Sequence, residues 1–183
     1  MAFQTKNPEK YVDLTRECLN NVTIMSTAKV ILLIGKICSG KSYYASKLKA
    51  ENQNTVNLSV DEITLAFKNS GLEHEILSQA SKEYLYKKSL ELINDGINVI
   101  LDWGFWKKVE RDYARNFFLQ NNILYEFHYI KVDNNEWEKR IEKRNNEVQS
   151  GKNNDAYFLD EGLKNKLLAN FEEPDPDEID VLV

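Results

Sequence analysis

The feature that most constrains the fold is the apolar run VILLI at residues 30–34, which ends at Gly35 and leads into a helical pattern over residues 41–51. The run does not alternate between apolar and polar residues, so it predicts a strand that is buried on both faces. Three similar strand patterns follow, and helical patterns separate them. The strands are predicted at 55–60, 97–102 and 123–132, and the helices at 61–71, about 73–94, 106–121 and 134–149.

Strands that alternate with helices in this way predict βαβ units, and therefore an α/β fold with a mostly parallel central sheet covered by helices on both faces. The segment 163–171 predicts a last helix, and IDVLV at 179–183 predicts a fifth strand. Ligands of such sheets bind beyond the carboxyl ends of the strands. Every polar motif described below falls at one of these ends.

Length and composition favour one soluble domain over residues 1–183, since 183 residues with 42% hydrophobic content fill a single core. Asn7 and Pro8 mark the start of a helix in an N-terminal extension over residues 1–27. Only Cys18 and Cys38 are present, and the longest apolar run is five residues. These features favour a cytoplasmic protein without a disulfide framework or a membrane span.

The octapeptide GKICSGKS at residues 35–42 matches the Walker A pattern in full, and a strand precedes it and a helix follows it, as the pattern requires. Glycines in such a loop let the backbone amides point at phosphate oxygens. The spacing predicts a nucleotide site with Mg²⁺, in which Lys41 contacts the β- and γ-phosphates and Ser42 binds the metal. The residues predicted to bind the nucleotide through this loop are Gly35, Cys38, Ser39, Gly40, Lys41 and Ser42.

Taken together, the segments ILLIGKICSGKS, SVDEI, VILDWGFWKKVERDYARNF, KRIEKRN and FEEPDPDE resemble small bacterial P-loop kinases of the AAA ATP-binding group, related to polynucleotide kinase and to zeta-toxin-type kinases. The resemblance covers roughly residues 28–180. It implies the three-layer αβα fold of P-loop NTPases with a helical lid at about 133–152. The loop departs from the related pattern at Ile37 and Cys38, which replace Pro and Gly but leave the fixed positions unchanged.

Two carboxylates follow predicted strands. The resemblance implies that Asp61, in SVDEI, accepts the proton of a substrate hydroxyl, although an Asp at this position equally suits the N-cap of the following helix. Asp102 ends the strand INVILD, where an acid binds Mg²⁺ directly or through water. The alternative for Asp102 is a turn residue at the end of a strand.

Arginines and aromatic residues complete the predicted site. The resemblance implies that Arg140 and Arg144, four residues apart in the lid, contact the transferring phosphoryl group, whereas pairs such as Glu136–Arg140 favour a solvated helix. Arg111 near the start of a helix suits an anionic substrate or phosphate, and equally a solvated basic face. Trp103, Phe105 and Trp106 suit a platform for a substrate ring, and equally a hydrophobic core.

The leading hypothesis is an ATP-dependent phosphotransferase whose acceptor is a hydroxyl of a small molecule or nucleotide-like substrate, with Lys41, Asp61 and Arg140 as catalytic residues. A nucleic-acid end is less favoured because the chain carries a net charge of −5. The alternative is a regulatory P-loop protein that binds or hydrolyses ATP without a phosphorylated acceptor.

Overall fold

A computed structural model describes residues 28–153 and 156–183. The predicted helical extension over residues 1–27 lies outside the described residues, and so does Cys18. The strands are β1 (Lys29–Ile34), β2 (Thr55–Ser59), β3 (Asn98–Gly104), β4 (Leu124–Tyr129) and β5 (Val181–Leu182). The helices are α1 (Lys41–Glu51), α2 (Val60–Ala66), α3 (His74–Asn94), α4 (Lys108–Gln120), α5 (Asn134–Gln149) and α6 (Glu161–Ala169), and a 3₁₀ turn spans Pro176–Glu178.

The five strands form one parallel sheet in the order β2-β3-β1-β4-β5. Strand β1 is central and lies between β3 and β4, as its continuous apolar run predicts. All carboxyl ends therefore meet at one edge of the sheet, where Ile34 pairs with Gly104 and Ser59 pairs with Asp102. The predicted α/β fold with about five parallel strands is confirmed.

The two faces of β1 pack against different layers. Val30, Leu32 and Ile34 belong to a core that includes residues of α3 and α4 on one face of the sheet. Ile31 and Leu33 pack on the other face, with α1. Because neighbouring residues of a strand point to opposite faces, burial of the whole run requires helices on both sides. A third, smaller cluster joins α5 to α6.

Two element boundaries differ from the prediction in ways that affect the site. Strand β3 continues to Gly104, because the amide of Gly35 donates to the Gly104 carbonyl at 3.2 Å and extends the pairing with β1. Asp102 therefore lies within the strand rather than at a turn. Helix α2 begins at Val60 with Ser59 as its N-cap, so the N-cap interpretation of Asp61 is wrong and Asp61 occupies the first turn.

Within the described parts of the chain, no helix is both long and apolar enough to cross a membrane. The cytoplasmic location stays a prediction.

Candidate active site

The phosphate loop, residues 35–42, joins β1 to α1 and is shaped by two left-handed backbone positions. Gly40 has φ of 105° and Cys38 has φ of 60°. Gly35 is required for space, because a Cβ there would lie 2.5 Å from Ser39 Oγ and 3.0 Å from the carbonyl oxygen of Ile130. Ser39 is 2% exposed, and its hydroxyl has no hydrogen-bond partner among the described residues.

Lys41 is folded back over this loop. Its ammonium donates to the carbonyl oxygens of Gly35 at 3.0 Å and of Lys36 at 2.9 Å. Burial lowers the pKa of Lys41, and the carboxylates of Asp102 and Asp61 act in the opposite direction. Carbonyl groups compensate a buried positive charge only partly, so an anion such as a phosphate would stabilise this ammonium.

Ser42 and Asp102 meet at the sheet edge. The Ser42 hydroxyl donates to Asp102 Oδ2 at 2.9 Å, and Asp102 is 5% exposed. Burial raises the pKa of Asp102, while the Ser42 hydrogen bond and the Lys41 charge oppose that change. A hydroxyl and a carboxylate are oxygen ligands of the kind that Mg²⁺ takes, so these two residues fit the predicted metal.

No group of three or more His, Cys, Asp or Glu residues that would hold a metal ion occurs in residues 28–153 or 156–183. Mg²⁺ at a nucleotide site keeps several water ligands and uses phosphate oxygens in addition to one or two protein groups. Two protein ligands are therefore sufficient for a magnesium ion that enters with a nucleotide.

Helix α5, in the predicted lid segment, is hydrogen-bonded to the phosphate loop. The indole of Trp137 donates to the Ile37 carbonyl at 2.7 Å, and Arg140 Nη1 donates to the Ser39 carbonyl at 2.6 Å. Arg140 Nε also donates to Glu136 Oε1 at 2.8 Å. The i, i+4 pair predicted for a solvated helix and the contact with the phosphate loop therefore occur together.

Arg144 lies one turn further along α5, with its guanidinium 5.2 Å from the centroid of the Tyr157 ring. Its Nε is buried without a hydrogen-bond partner in the described part of the chain. Cys38 is nearby, and burial raises the pKa of its thiol while the Arg144 charge acts in the opposite direction. The thiol is therefore held in its neutral form, and the position of Cys38 matters through its backbone.

A single cleft of about 920 Å³ brings most of the predicted residues together. It lies at the carboxyl edge of the sheet, between the phosphate loop, α5, the first turn of α2 and the N-terminal half of α3. The predicted residues that line it are Cys38, Gly40, Lys41, Ser42, Asp61, Asp102, Trp103, Trp106, Arg140 and Arg144. One cavity therefore contains the phosphate loop, the Ser42 and Asp102 oxygens that suit a magnesium ion, the exposed carboxylate of Asp61 and two arginines.

Phe105 and Arg111 lie elsewhere, which corrects two predictions. Phe105 is fully buried, with its ring centroid 4.8 Å from that of Trp103 and 6.0 Å from that of Phe127, so it is a core residue. Arg111 is 1% exposed and pairs with Glu178 at 3.0 Å. Arg111 lies neither in the cleft nor on a solvated face, because the acidic tail, FEEPDPDE at residues 171–178, folds back and its Glu178 neutralises the guanidinium.

The Arg111–Glu178 pair also fixes the chain that follows β3. Arg111 Nη1 donates to the carbonyl oxygens of Phe105, Trp106 and Glu172 at 3.1–3.3 Å. Burial alone would raise the pKa of Glu178, but hydrogen bonds from Arg111 and from the Asp175 amide outweigh it and lower this pKa to about 2. The arginine therefore positions the loop at the cleft without reaching it.

Sequence reasoning missed one wall of the cleft. His74, Ser78 and Lys82 of α3 line the cavity at intervals of four residues, which places them on one face of that helix. Lys82 pairs there with Glu110 of α4 at 2.6 Å. The regular spacing of polar residues is the signal in the sequence, but only the packing of α3 shows that this face is turned towards the phosphate loop.

Similar solved structures share this architecture. One chain of the Pnkp1/Rnl/Hen1 RNA repair complex superposes with a TM-score of 0.62 at 19% identity over 82% of this chain. A sugar kinase from Janibacter sp. gives 0.58 at 18% identity, with 85% of this chain and 84% of that chain covered. The APS kinase CysC of Mycobacterium tuberculosis, in complex with AMPPNP and APS, gives 0.60 at 18% identity, with 85% and 87% covered.

The present chain covers only 46% of the RNA repair chain, and so spans less than half of its length. At these identities the likeness establishes the fold, and the predicted P-loop NTPase fold with its resemblance to P-loop kinases is confirmed. No curated protein matches the chain in sequence. A family described as an AAA domain matches residues 30–174. Because that match covers well over half of the chain, the protein belongs to this AAA-domain family.

Proposed function

We propose that the protein is an ATP-dependent kinase that transfers the γ-phosphate of Mg·ATP to a hydroxyl group of a small-molecule or nucleotide-like acceptor. The observation that carries the proposal is the joint lining of one cleft by Lys41, Ser42, Asp102, Arg140 and the exposed carboxylate of Asp61. A protein that only binds a nucleotide does not require a free carboxylate beside the phosphate loop.

The donor side of the proposed reaction uses the phosphate loop and helix α5. Lys41 and Arg140 supply positive charge for the phosphates, and Arg144 Nε is a buried donor with no partner in the described residues. Ser42 and Asp102 would hold Mg²⁺, which neutralises charge that develops on the β- and γ-phosphate oxygens. Phosphoryl transfer depends mainly on such positioning and electrostatics.

The acceptor side of the proposed reaction depends on Asp61. A carboxylate in the first turn of α2 is available to accept the hydroxyl proton as the acceptor oxygen bonds to the γ-phosphorus and ADP leaves. The cleft volume of about 920 Å³ is near the upper end of the roughly 300–1,000 Å³ typical for ligand pockets. It is therefore large enough for a nucleotide and a second small molecule together.

Three similar structures support the proposal: a chain of an RNA repair complex, a sugar kinase, and an APS kinase bound to AMPPNP and APS. They favour ATP as the donor and leave nucleotides, sugars and a nucleic-acid end as acceptor classes. The net charge of −5 disfavours the nucleic-acid end, because polynucleotide binding relies on positive charge.

The test is transfer of labelled phosphate from ATP into a pool of cell metabolites and short oligonucleotides, with native protein and with Asp61→Asn. We expect the variant to bind ATP normally and to lose transfer by about 10²-fold or more, as for removal of a general base. Glu62→Gln is the matched control, because Glu62 is the adjacent exposed acid and lies outside the residues that line the cleft.

If Asp61→Asn transferred phosphate as fast as the native protein, Asp61 would be excluded as the general base. Turnover of ATP without any labelled acceptor would instead support the alternative of a regulatory ATP-binding protein.

A further inference from the structure

Another cavity lies next to the cleft, on the side formed by Lys82, Trp103 and Glu110. This side pocket has a volume of about 240 Å³, and its walls include the rings of Tyr86, Trp103 and Tyr113 together with Val109. Tyr86 is nearly buried, whereas Tyr113 is 54% exposed and Val109 is 67% exposed. The other lining residues, Gln79, Lys82, Glu83 and Glu110, are polar or charged. The pocket therefore combines aromatic and aliphatic walls with a few polar groups, as small-molecule sites do.

The side pocket and the cleft share part of their walls. Lys82, Trp103 and Glu110 line both cavities. The ammonium of Lys82 donates to Glu110 Oε1 at 2.6 Å, and the two side chains are 25% and 29% exposed. Glu110 Oε2 also accepts from the Lys107 amide at 3.2 Å, which fixes the carboxylate. A positioned ion pair therefore lies in the wall shared by the two cavities.

The side pocket is too small for a whole ligand, because ligand pockets are typically about 300–1,000 Å³. It is suited to one part of a ligand whose remainder lies in the cleft. Aromatic walls favour a flat ring, since rings gain from stacked and edge-to-face contacts. The Lys82–Glu110 pair offers a hydrogen-bond donor and an acceptor side by side, which suits a ring whose edge carries both kinds of group.

We infer that the side pocket binds a planar heteroaromatic ring of the phosphate acceptor, so that the acceptor is a nucleoside or a nucleoside-like compound rather than a simple sugar. This inference rests on the proposed kinase function. In this arrangement the ring lies against Trp103 and Tyr113, its polar edge contacts the Lys82–Glu110 pair, and the hydroxyl group extends to Asp61.

The test measures binding without requiring transfer. Asp61→Asn protein is saturated with Mg²⁺ and a non-hydrolysable ATP analogue, so that the donor site is filled, and is titrated by calorimetry with each of the four ribonucleosides and with ribose. We expect at least one nucleoside to bind tenfold or more tightly than ribose. Equal binding of ribose and all four nucleosides would overturn the inference.

A substitution that fills the side pocket localises the binding. Val109→Trp, made in the Asp61→Asn protein, is expected to weaken nucleoside binding tenfold or more. Leu119→Trp in the same background is the matched control, because Leu119 is a similarly exposed residue of α4 that lies outside both cavities. Tyr113→Ala provides a second variant that removes a wall instead of filling the space, and it is expected to weaken the same binding.

Failure of this inference and failure of the proposed function give different results. Nucleoside binding that is lost in Val109→Trp, combined with no phosphorylated acceptor in native protein, would support the side pocket and overturn the kinase proposal. Phosphorylation of a sugar that carries no heteroaromatic ring, with a KM that Val109→Trp leaves unchanged, would support the kinase proposal. It would overturn the proposed role of the side pocket.

Discussion

The buried pair between Arg111 and Glu178 provides a quantitative test of how the acidic tail stabilises the fold. Glu178→Gln keeps the shape of the side chain but removes the charge that neutralises Arg111. Both side chains are almost fully buried, at 1% and 4% exposure, and two hydrogen bonds of 3.0–3.1 Å join them. Removing one partner of such a pair leaves an uncompensated charge in the interior.

The pKa of Glu178 gives the magnitude. It falls from 4.5 to about 2 in the folded protein, so ionised Glu178 contributes about 3 kcal/mol at neutral pH, at roughly 1.4 kcal/mol for each pKa unit. Because the folded-state pKa is the lower one, this contribution is complete above the unfolded pKa near 4.5 and is lost as the pH falls towards 2. At pH 3.5 we expect about 2 kcal/mol to remain.

The assay is urea unfolding followed by circular dichroism, at pH 7 and at pH 3.5, with Asp177→Asn as the control. Asp177 lies in the same 3₁₀ turn and is exposed, so its neutralisation changes the net charge equally. We expect Glu178→Gln to lose about 3 kcal/mol of unfolding free energy at pH 7 and Asp177→Asn to lose less than about 0.5 kcal/mol. Equal losses in the two variants would refute the reasoning.

Two further predictions concern the nucleotide site. Arg140→Ala should raise the KM for ATP and lower kcat by about 10²-fold in a coupled ADP-release assay, because it removes the charge bonded to the Ser39 carbonyl. Lys139→Ala, at an exposed position of the same helix outside the cleft, is the control and should have little effect. Asp102→Asn should raise the Mg²⁺ concentration for half-maximal activity tenfold or more, measured by titration at fixed ATP, and an unchanged requirement would exclude Asp102 as a metal ligand.

Much of the fold follows from local patterns in the sequence. The apolar run VILLI predicts a central strand that is covered on both faces. Strand β1 occupies that position in the sheet. Most helix boundaries fall within about two residues of the prediction, because caps and apolar spacing are local signals. The phosphate loop is predictable for the same reason, since its fixed residues are adjacent in the chain.

The residues that sequence reasoning misplaced depend on contacts between distant segments. The position of Arg111 near the start of α4 predicts contact with an anionic ligand or with solvent. Its actual partner is Glu178, which lies 67 residues further along the chain. The wall formed by His74, Ser78 and Lys82 was missed because their spacing shows a shared face without showing what it is turned towards. Long-range neutralisation and helix orientation are tertiary properties, so no local pattern contains them.

The hydrogen bonds of the phosphate loop would allow Lys41, in the proposed function, to exchange its carbonyl partners for a phosphate at little cost. The Gly35 carbonyl accepts from Lys41 and also from the Trp106 indole, each at 3.0 Å. The Lys36 carbonyl accepts from Lys41 and also from the Ser39 amide at 3.2 Å. If Lys41 turns to an anion, both oxygens keep a donor, so no buried acceptor is left unsatisfied. Trp106 is itself held by the Arg111 contact to its carbonyl, and Glu178, which neutralises Arg111, therefore helps to position the indole that bonds to the Gly35 carbonyl.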